Sequence, residues 1–404
     1  MVADRTDVIG RHPAARVAAL AFAALTLVAC SGGTDTTAAV DLQALDVGGY
    51  NVQPIDVEAN RTPTDGRILE GIRMAGAIVY PHLLDATLTH DWGSEVISTP
   101  ATASDVAAVS NVNIPTLERH GLVTGFDVTE GDAAFGTEGA AVTRVFLMRF
   151  PDAATATAAA LDLQQTDFAV SPDNRPLSIP GYPDAHAHWR PGIPTMSALY
   201  ARDQLVVSIF VQHPQPFEQQ MINRVADVLD AQVPLIDGFE PTPVDAIDQL
   251  PRDPDEILLR TLIQGPADQT VPISGTDYAA WAGPAVIRFR PVANPELEAV
   301  WDDGGVDAVG YSAPNMVFRF RDGDAAEAFA DAWQNSHRAG VTPIDGPAGL
   351  AQARCAERPD TADQPGVARC FVTNDRYGAF LTDGSADRAR QMAAAQYALL
   401  ENSE

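Results

Sequence analysis

The chain has 404 residues, 46% apolar and 20% charged, a composition that describes a globular protein and excludes a disordered one. Its formal net charge is −28, from 54 acidic and 26 basic side chains with no lysine, so its surface repels nucleic acid and anionic lipid headgroups. One hydrophobic core rarely serves a chain this long, and two domains are expected.

Arg5, Arg11 and Arg16 precede an apolar run, Val17 to Ala29, that closes on Leu27-Val28-Ala29-Cys30. As a helix this run rises about 20 Å, which is short for a membrane span and right for the apolar region of a signal peptide. The small residues before Cys30 suit a peptidase pocket, and its thiol is the nucleophile that would take a diacylglycerol group. Residues 1–29 are therefore expected to be a lipoprotein signal peptide, with Cys30 the lipidation site. The acylated, palmitate-type anchor would hold the chain on the extracytoplasmic face of the cell membrane. Residues 30–64 are expected to form a tether and an N-terminal segment of little periodicity. A fragment starting near Asp41 should be soluble and monomeric.

Ile68, Ile72 and Ala75 share one face of an expected helix over Gly66 to Ala77, and short helices are expected at Asp105 to Ser110 and Thr116 to His120. Val142 to Phe150 is the clearest strand. Pro151-Asp152 then turns and caps a helix striped by Ala154, Ala158 and Leu161. Ser197 to Val211 reads as two strands around a turn at Ala201 to Gln204, and Pro216 to Ala231 as a helix with Met221, Val225 and Leu229 inward. Prolines 241, 243, 251 and 254 with interspersed Asp make 236–256 an extended linker.

Beyond the linker the order repeats. Asn315 to Arg321 is a strand, Asp322-Gly323 a turn, and Asp324 with Glu327 a capping box for a helix that buries Phe329 and Trp333. Leu117 to Val128 corresponds to Leu297 to Val309, AHAHWRP at Ala185 to QARCAERP at Gln352, and the Ser197 strand pair to Arg369 to Leu381, before a closing helix over Ala386 to Leu400. An internal duplication follows, with 65–235 and 257–404 as the two copies. The fold class expected is α+β, two similar copies of an antiparallel sheet backed by helices, most simply on one face. With Cys30 lipidated, Cys355 and Cys370 remain as an even pair in an exported protein, where a disulfide between them persists; two free thiols are the alternative.

The strings GYNVQPIDVEANRTPTDGRILEGIRMAGAIVYP, AVSNVNIPTLERHGLVTGFDVTEG and AAAQYALL, behind the Cys30 motif, resemble an uncharacterised lipoprotein family of mycolic-acid-bearing actinobacteria. The resemblance covers nearly the whole mature chain and implies an envelope location; it brings no catalytic residues. The strand-turn-strand-helix endings also resemble, over that short stretch, the extracellular sensor domains of mycobacterial receptor kinases.

His186 and His188 have the two-residue spacing that places imidazoles on one face of a strand, with Asp184 and His213 as conceivable further ligands. Their place in the duplication favours a structural strand, and no metal is assigned. Gly310-Tyr311-Ser312-Ala313-Pro314 lacks the final glycine of a hydrolase elbow, and the Asp-Gly pairs at 303–304 and 322–323 suit turns and caps. No catalytic residue and no cofactor is assigned. The preferred function is a non-catalytic envelope lipoprotein that binds a small amphiphile, a cell-wall fragment or a protein partner. A structural or assembly protein of the envelope is one alternative, and an enzyme with a site built from scattered residues is another. Trp189, Trp281, Trp301 and Tyr311 lie beside Gly or Pro turns and are expected to line a groove between the copies.

Overall fold

The computed structural model describes residues 40–59, 61–264, 272–275, 277–336, 340–361 and 364–403, so the expected signal peptide, Cys30 and most of the tether lie outside the described residues. The first half runs α1 (Asp65–Met74), β1 (His90–Ile97), α2 (Pro100–Asp105), α3 (Ile114–Arg119), β2 (Thr124–Gly131), β3 (Val142–Arg149), α4 (Ala153–Phe168), β4 (Arg175–Ile179), β5 (Tyr182–Trp189), β6 (Thr195–Arg202), β7 (Leu205–Gln212) and α5 (Glu218–Asp237). The second runs β8 (Tyr278–Ala282), α6 (Pro295–Gly304), β9 (Ala308–Ser312), β10 (Asn315–Arg319), α7 (Gly323–Asn335), β11 (Thr342–Ile344), β12 (Ala353–Arg358), β13 (Val367–Asn374), β14 (Tyr377–Asp383) and α8 (Ala386–Glu401). One sheet has the order β1-β2-β3-β7-β6-β5-β4 and the other, read from its opposite edge, β8-β9-β10-β14-β13-β12-β11. The two orders are the same, and every pairing within them is antiparallel.

Register makes the correspondence residue by residue. The β6–β7 turn pairs Arg202 with Leu205 and the β13–β14 turn pairs Asn374 with Tyr377, each turning on an aspartate at positive φ, Asp203 (49°) and Asp375 (46°). Cys370 therefore stands where the first copy has Ala198, and Cys355 where it has Ala187. The two cysteines face each other across β12 and β13 and are joined by a disulfide; in the first copy two buried alanines occupy that place. Gly121 (φ 66°) and Gly305 (φ 58°) both turn a helix into the next strand, a backbone state that suits glycine. That register corrects the sequence alignment by three residues, because Val309 takes the place of Gly125 and not of Val128.

Each sheet carries helices on both faces, not on one. Leu199, Phe146 and Met148 pack under Ala156, Ala159, Ala160 and Leu163 of α4. The next residue along β6, Tyr200, points the other way, against Tyr182, whose hydroxyl donates to Asp230 of α5 at 2.6 Å. In the second copy Phe329 and Trp333 of α7 lie on Phe371, while α8 packs on the same two strands from the side of Cys370 and Val372. The signal in the sequence is the unbroken apolar run Val145-Phe146-Leu147-Met148, all wholly buried, where a one-sided sheet would alternate.

The caps also differ in detail from expectation. Asp152 caps α4 by accepting from Thr155 N at 2.8 Å, and Asp322, not Asp324, caps α7 by accepting from Ala325 N at 2.9 Å. Glu327 is drawn away to the sheet, where it accepts from Arg354 at 2.7 Å and from the Thr373 hydroxyl.

A glutamine without solvent exposure recurs near the end of each closing helix. Gln232 accepts from Val79 N at 3.0 Å and donates to Ala77 O at 2.6 Å; Gln396 accepts from Leu262 N at 2.9 Å and donates to Arg260 O at 2.7 Å. Each side chain thus satisfies one N–H and one C=O of an irregular segment buried beneath its helix.

The Pro/Asp-rich stretch does not hang free. Arg252, 1% exposed, donates to Asp65 at 2.6 Å and to the carbonyls of Val57 and Ala59 at 2.8 and 2.7 Å. Glu70, also buried, pairs with Arg149 and accepts from Thr242 N at 3.1 Å and Oγ1 at 2.8 Å. Two carboxylates of α1 therefore hold both ends of the linker. Asp41 to Glu404 form one compact unit, and the copies touch where Trp281 meets Phe126 edge-on at 5.9 Å and Arg288 donates to Ser94 O at 2.8 Å. No helix among the described residues is long and apolar enough to cross a membrane.

Two outcomes follow from the duplication. Gln232→Leu strands a buried N–H and C=O at about 1–3 kcal/mol each, so urea unfolding should show a loss of about 2–6 kcal/mol, and Gln396→Leu somewhat less because the Arg260 carbonyl lies nearer solvent. A change below about 1 kcal/mol in both would contradict the clamp. The double variant Ala187→Cys/Ala198→Cys should oxidise to a second cross-link, read by mass spectrometry of the non-reduced protein; persistent free thiols would show that the copies are not congruent there.

Candidate ligand-binding grooves

Each copy has a groove at the same place, between the connection that follows its first strand, the helix that follows its third strand, and the sheet. In the second copy the groove encloses about 420 Å³, within the range of small-molecule sites. Ala356 and Arg358 alternate along β12, and Val367 and Arg369 along β13, so all four form its floor. Cys355 and Cys370 lie on the opposite face of the same two strands, and the disulfide fixes the floor from behind. Trp333 of α7 forms a wall, tilted on Phe371 at 6.1 Å and edge-on to Phe380 at 5.5 Å; Pro291, Val292 and Leu297 form the other. The Arg369 guanidinium lies over the Phe380 ring at 5.9 Å. Arg358 donates through Nη2 to Pro365 O at 2.9 Å, and its Nη1 is buried with no hydrogen-bond partner.

The first copy's groove, about 480 Å³, is lined by Leu163 where the second has Trp333 and by Ser197 where it has Arg369. Arg144 lines it too, but it is neutralised: Nε lies 2.9 Å from Asp127 Oδ1, and Nη2 donates to Val106 O at 2.7 Å. Burial pushes the Asp127 carboxyl up to about 6 against the opposing pull of Arg144. Burial likewise raises Asp167 and lowers His188, each partly countered by the other.

The residues singled out from sequence are not gathered in one place. Trp189 ends β5 and donates to Ile193 O at 2.7 Å, closing the turn into β6. Trp301 sits in the aromatic core of the second copy, 5.4 Å from Phe318 and 6.0 Å from Phe329. Trp281 and Tyr311 do lie near the junction of the copies: the Arg288 guanidinium stacks 4.8 Å from Trp281 and 5.8 Å from Tyr311, and Phe289 packs against both rings. Three donors at this junction, Tyr80 Oη, Trp281 Nε1 and Arg288 Nε, are buried without a partner. His188 is taken up by Gln164 Oε1 at 3.1 Å and by Asp167 at 3.6 Å, and among the described residues no group of three or more His, Cys, Asp or Glu could hold a metal ion. Ser312 lies at the end of β9, where a hairpin leads into β10 and not into a helix. Arg358, Arg369 and Trp333 were missed as site residues because only the register of β12, β13 and α7 brings them together; the sequence correspondence of the two copies was the available signal.

Two copies of one seven-stranded antiparallel unit, with helices on both faces and a groove at the same position in each, define a duplicated α+β protein. The chain belongs to a family of that build whose activity is unassigned: residues 57–252 match "Domain of unknown function (DUF7373) N-terminal" and residues 257–403 match "Domain of unknown function (DUF7373) C-terminal". No curated protein matches the chain. Among solved structures, the extracellular domain of PknH from Mycobacterium tuberculosis is similar at 12% identity and a TM-score of 0.31, over 46% of this chain and 100% of that one.

The Asp127 carboxyl gives a pH signature with a definite sign. A carboxyl raised to about 6 when folded binds more protons folded than unfolded between about pH 4 and 6, so its protonation adds stability as pH falls through that window. Asp127→Asn cannot take up that proton, and the Tm of wild type minus that of the variant should rise from pH 7.5 to pH 5. A gap that stays constant would mean the carboxyl titrates at its ordinary value.

Proposed function

We propose that this chain is a lipid-anchored, extracytoplasmic binding protein of the cell envelope that holds small amphiphilic or cell-wall ligands without transforming them. The observation that carries the reading is the recurrence of one groove in both copies with different linings. A scaffold kept only for packing would have no reason to preserve an open cleft at one position while its lining differs, with Trp333 and Arg369 in one copy and Leu163 and Ser197 in the other. The location rests on Leu27-Val28-Ala29-Cys30 and on the disulfide, which suits an oxidising compartment.

In the native host, Cys30→Ala should move the full chain from the membrane to the soluble fraction; unchanged retention would remove the anchor from the account. Residues 41–404 should bind members of a panel of envelope lipids and glycan fragments, read by thermal shift and by tryptophan fluorescence, because Trp333 borders the groove. No response across the panel would leave the envelope-assembly role ahead.

A further inference from the structure

We infer that the first copy's groove takes an uncharged glycan of disaccharide size, held through the open hydroxyls of Ser197 and Ser208 and stacked on the Phe210 ring. This rests on the binding-protein reading above and names the ligand class of one groove. The matched registers place Ser197 and Ser208 where the second copy has Arg369 and Phe380. There the guanidinium lies over the ring at 5.9 Å and fills the floor; here two serines leave it open to a groove of about 480 Å³. Both serines are half-buried, neither hydroxyl has a hydrogen-bond partner among the described residues, and neither oxygen is sealed from solvent. They stand on the face of the sheet that packs Phe146 and Leu199 beneath α4, where burial alone would favour apolar side chains.

The surroundings point to the same chemistry. Phe210 lies between Arg144 and Ser197 in one row across three strands, and its half-buried ring offers the flat apolar surface on which the C–H face of a sugar packs. Asn111 accepts from Ser104 Oγ at 2.9 Å, which leaves its amide NH2 to donate. Asp167 of α4 lies 3.6 Å from His188 and accepts no closer side-chain bond among the described residues, so its carboxyl remains to receive from a ligand hydroxyl. The groove's lining cation, Arg144, is spent on Asp127 and on the Val106 and Ala107 carbonyls. An unspent carboxyl, a spent arginine and a chain charge of −28 together disfavour an anionic ligand. Seven of the thirteen lining residues are polar, against four of the eleven described for the second groove, so a bare hydrocarbon chain would strip water from these groups without pairing them.

Calorimetric titration of residues 41–404 with N,N′-diacetylchitobiose and with cellobiose, both uncharged, tests this against the anionic digalacturonate. At least one neutral disaccharide should bind at a single site, and digalacturonate should bind about tenfold more weakly or not at all. Ser208→Phe installs the second copy's residue and should weaken the neutral sugar about tenfold or more by filling the floor. Ser197→Ala, which asks nothing of packing, should weaken it about two- to tenfold, the loss of one hydrogen bond. The tetrasaccharide of the bound sugar separates the two sources of such a ligand: binding equal to or tighter than the disaccharide marks a polymer segment and weaker binding a free disaccharide, and either agrees with the inference. Digalacturonate binding as tightly as the neutral sugars, or a neutral sugar insensitive to both substitutions, would overturn it. If neither disaccharide binds but an envelope lipid raises the melting temperature, the ligand class is wrong and the binding-protein reading stands. If no sugar and no lipid binds, both fall.

Discussion

The fold depends on what lies under each closing helix. There, an irregular backbone segment crosses beneath the helix and would leave polar groups buried, and one glutamine in each copy satisfies them. With Gln232 and Gln396 in place, α5 and α8 can seal one face of their sheets with apolar side chains such as Val225, Leu229, Met392 and Leu399. The opposite face is then left to α4 and α7, which cover it incompletely. The grooves are that incomplete cover. Their position in both copies follows from the topology, and their chemistry from a few side chains that the topology leaves free to vary.

The linker is held to the first copy by buried charge. Asp65 and Glu70 on one helix receive Arg252 and Arg149, and all four side chains are almost fully buried. Such pairs add little net stability over an apolar contact, but breaking one leaves an uncompensated charge, so they fix the linker's path strictly. The linker is consequently part of the first copy's surface and not a hinge. Trp281 reaches into the first copy at Phe126, and Val96 of β1 fills the space above Gly275, where a Cβ would come within 2.4 Å of its methyl.

Much of this was legible in the residues. Val142 to Phe150 announces a strand through its β-branched and aromatic run, the 322–324 stretch a helix start, and the repeated order of elements a duplication. The cysteine pair was legible from compartment and parity, and register explains its placement opposite two alanines of the other copy. What could not be read was which face a residue takes in three dimensions. Trp301 and Trp281 resemble groove residues in sequence because they stand near glycines, yet packing against Phe318 and Phe126 claims them. Arg358 and Arg369 are separated by a hairpin, and only the pairing of Arg358 with Val367 and of Ala356 with Arg369 shows that they share a floor. Glu327 looked like half of a capping box until Arg354 and Thr373 offered it stronger partners on the sheet.

The central claim is that the groove recurring in both copies is a ligand site. A crystal structure of residues 41–404 grown with the envelope lipid or glycan fragment that raises its melting temperature most examines this directly. The account predicts continuous ligand density within a groove, along Trp333 and Leu297 in the second copy or along Leu163 and Ser197 in the first. Density placed instead beside Tyr80 and Trp281 at the junction, with both grooves empty, would contradict it.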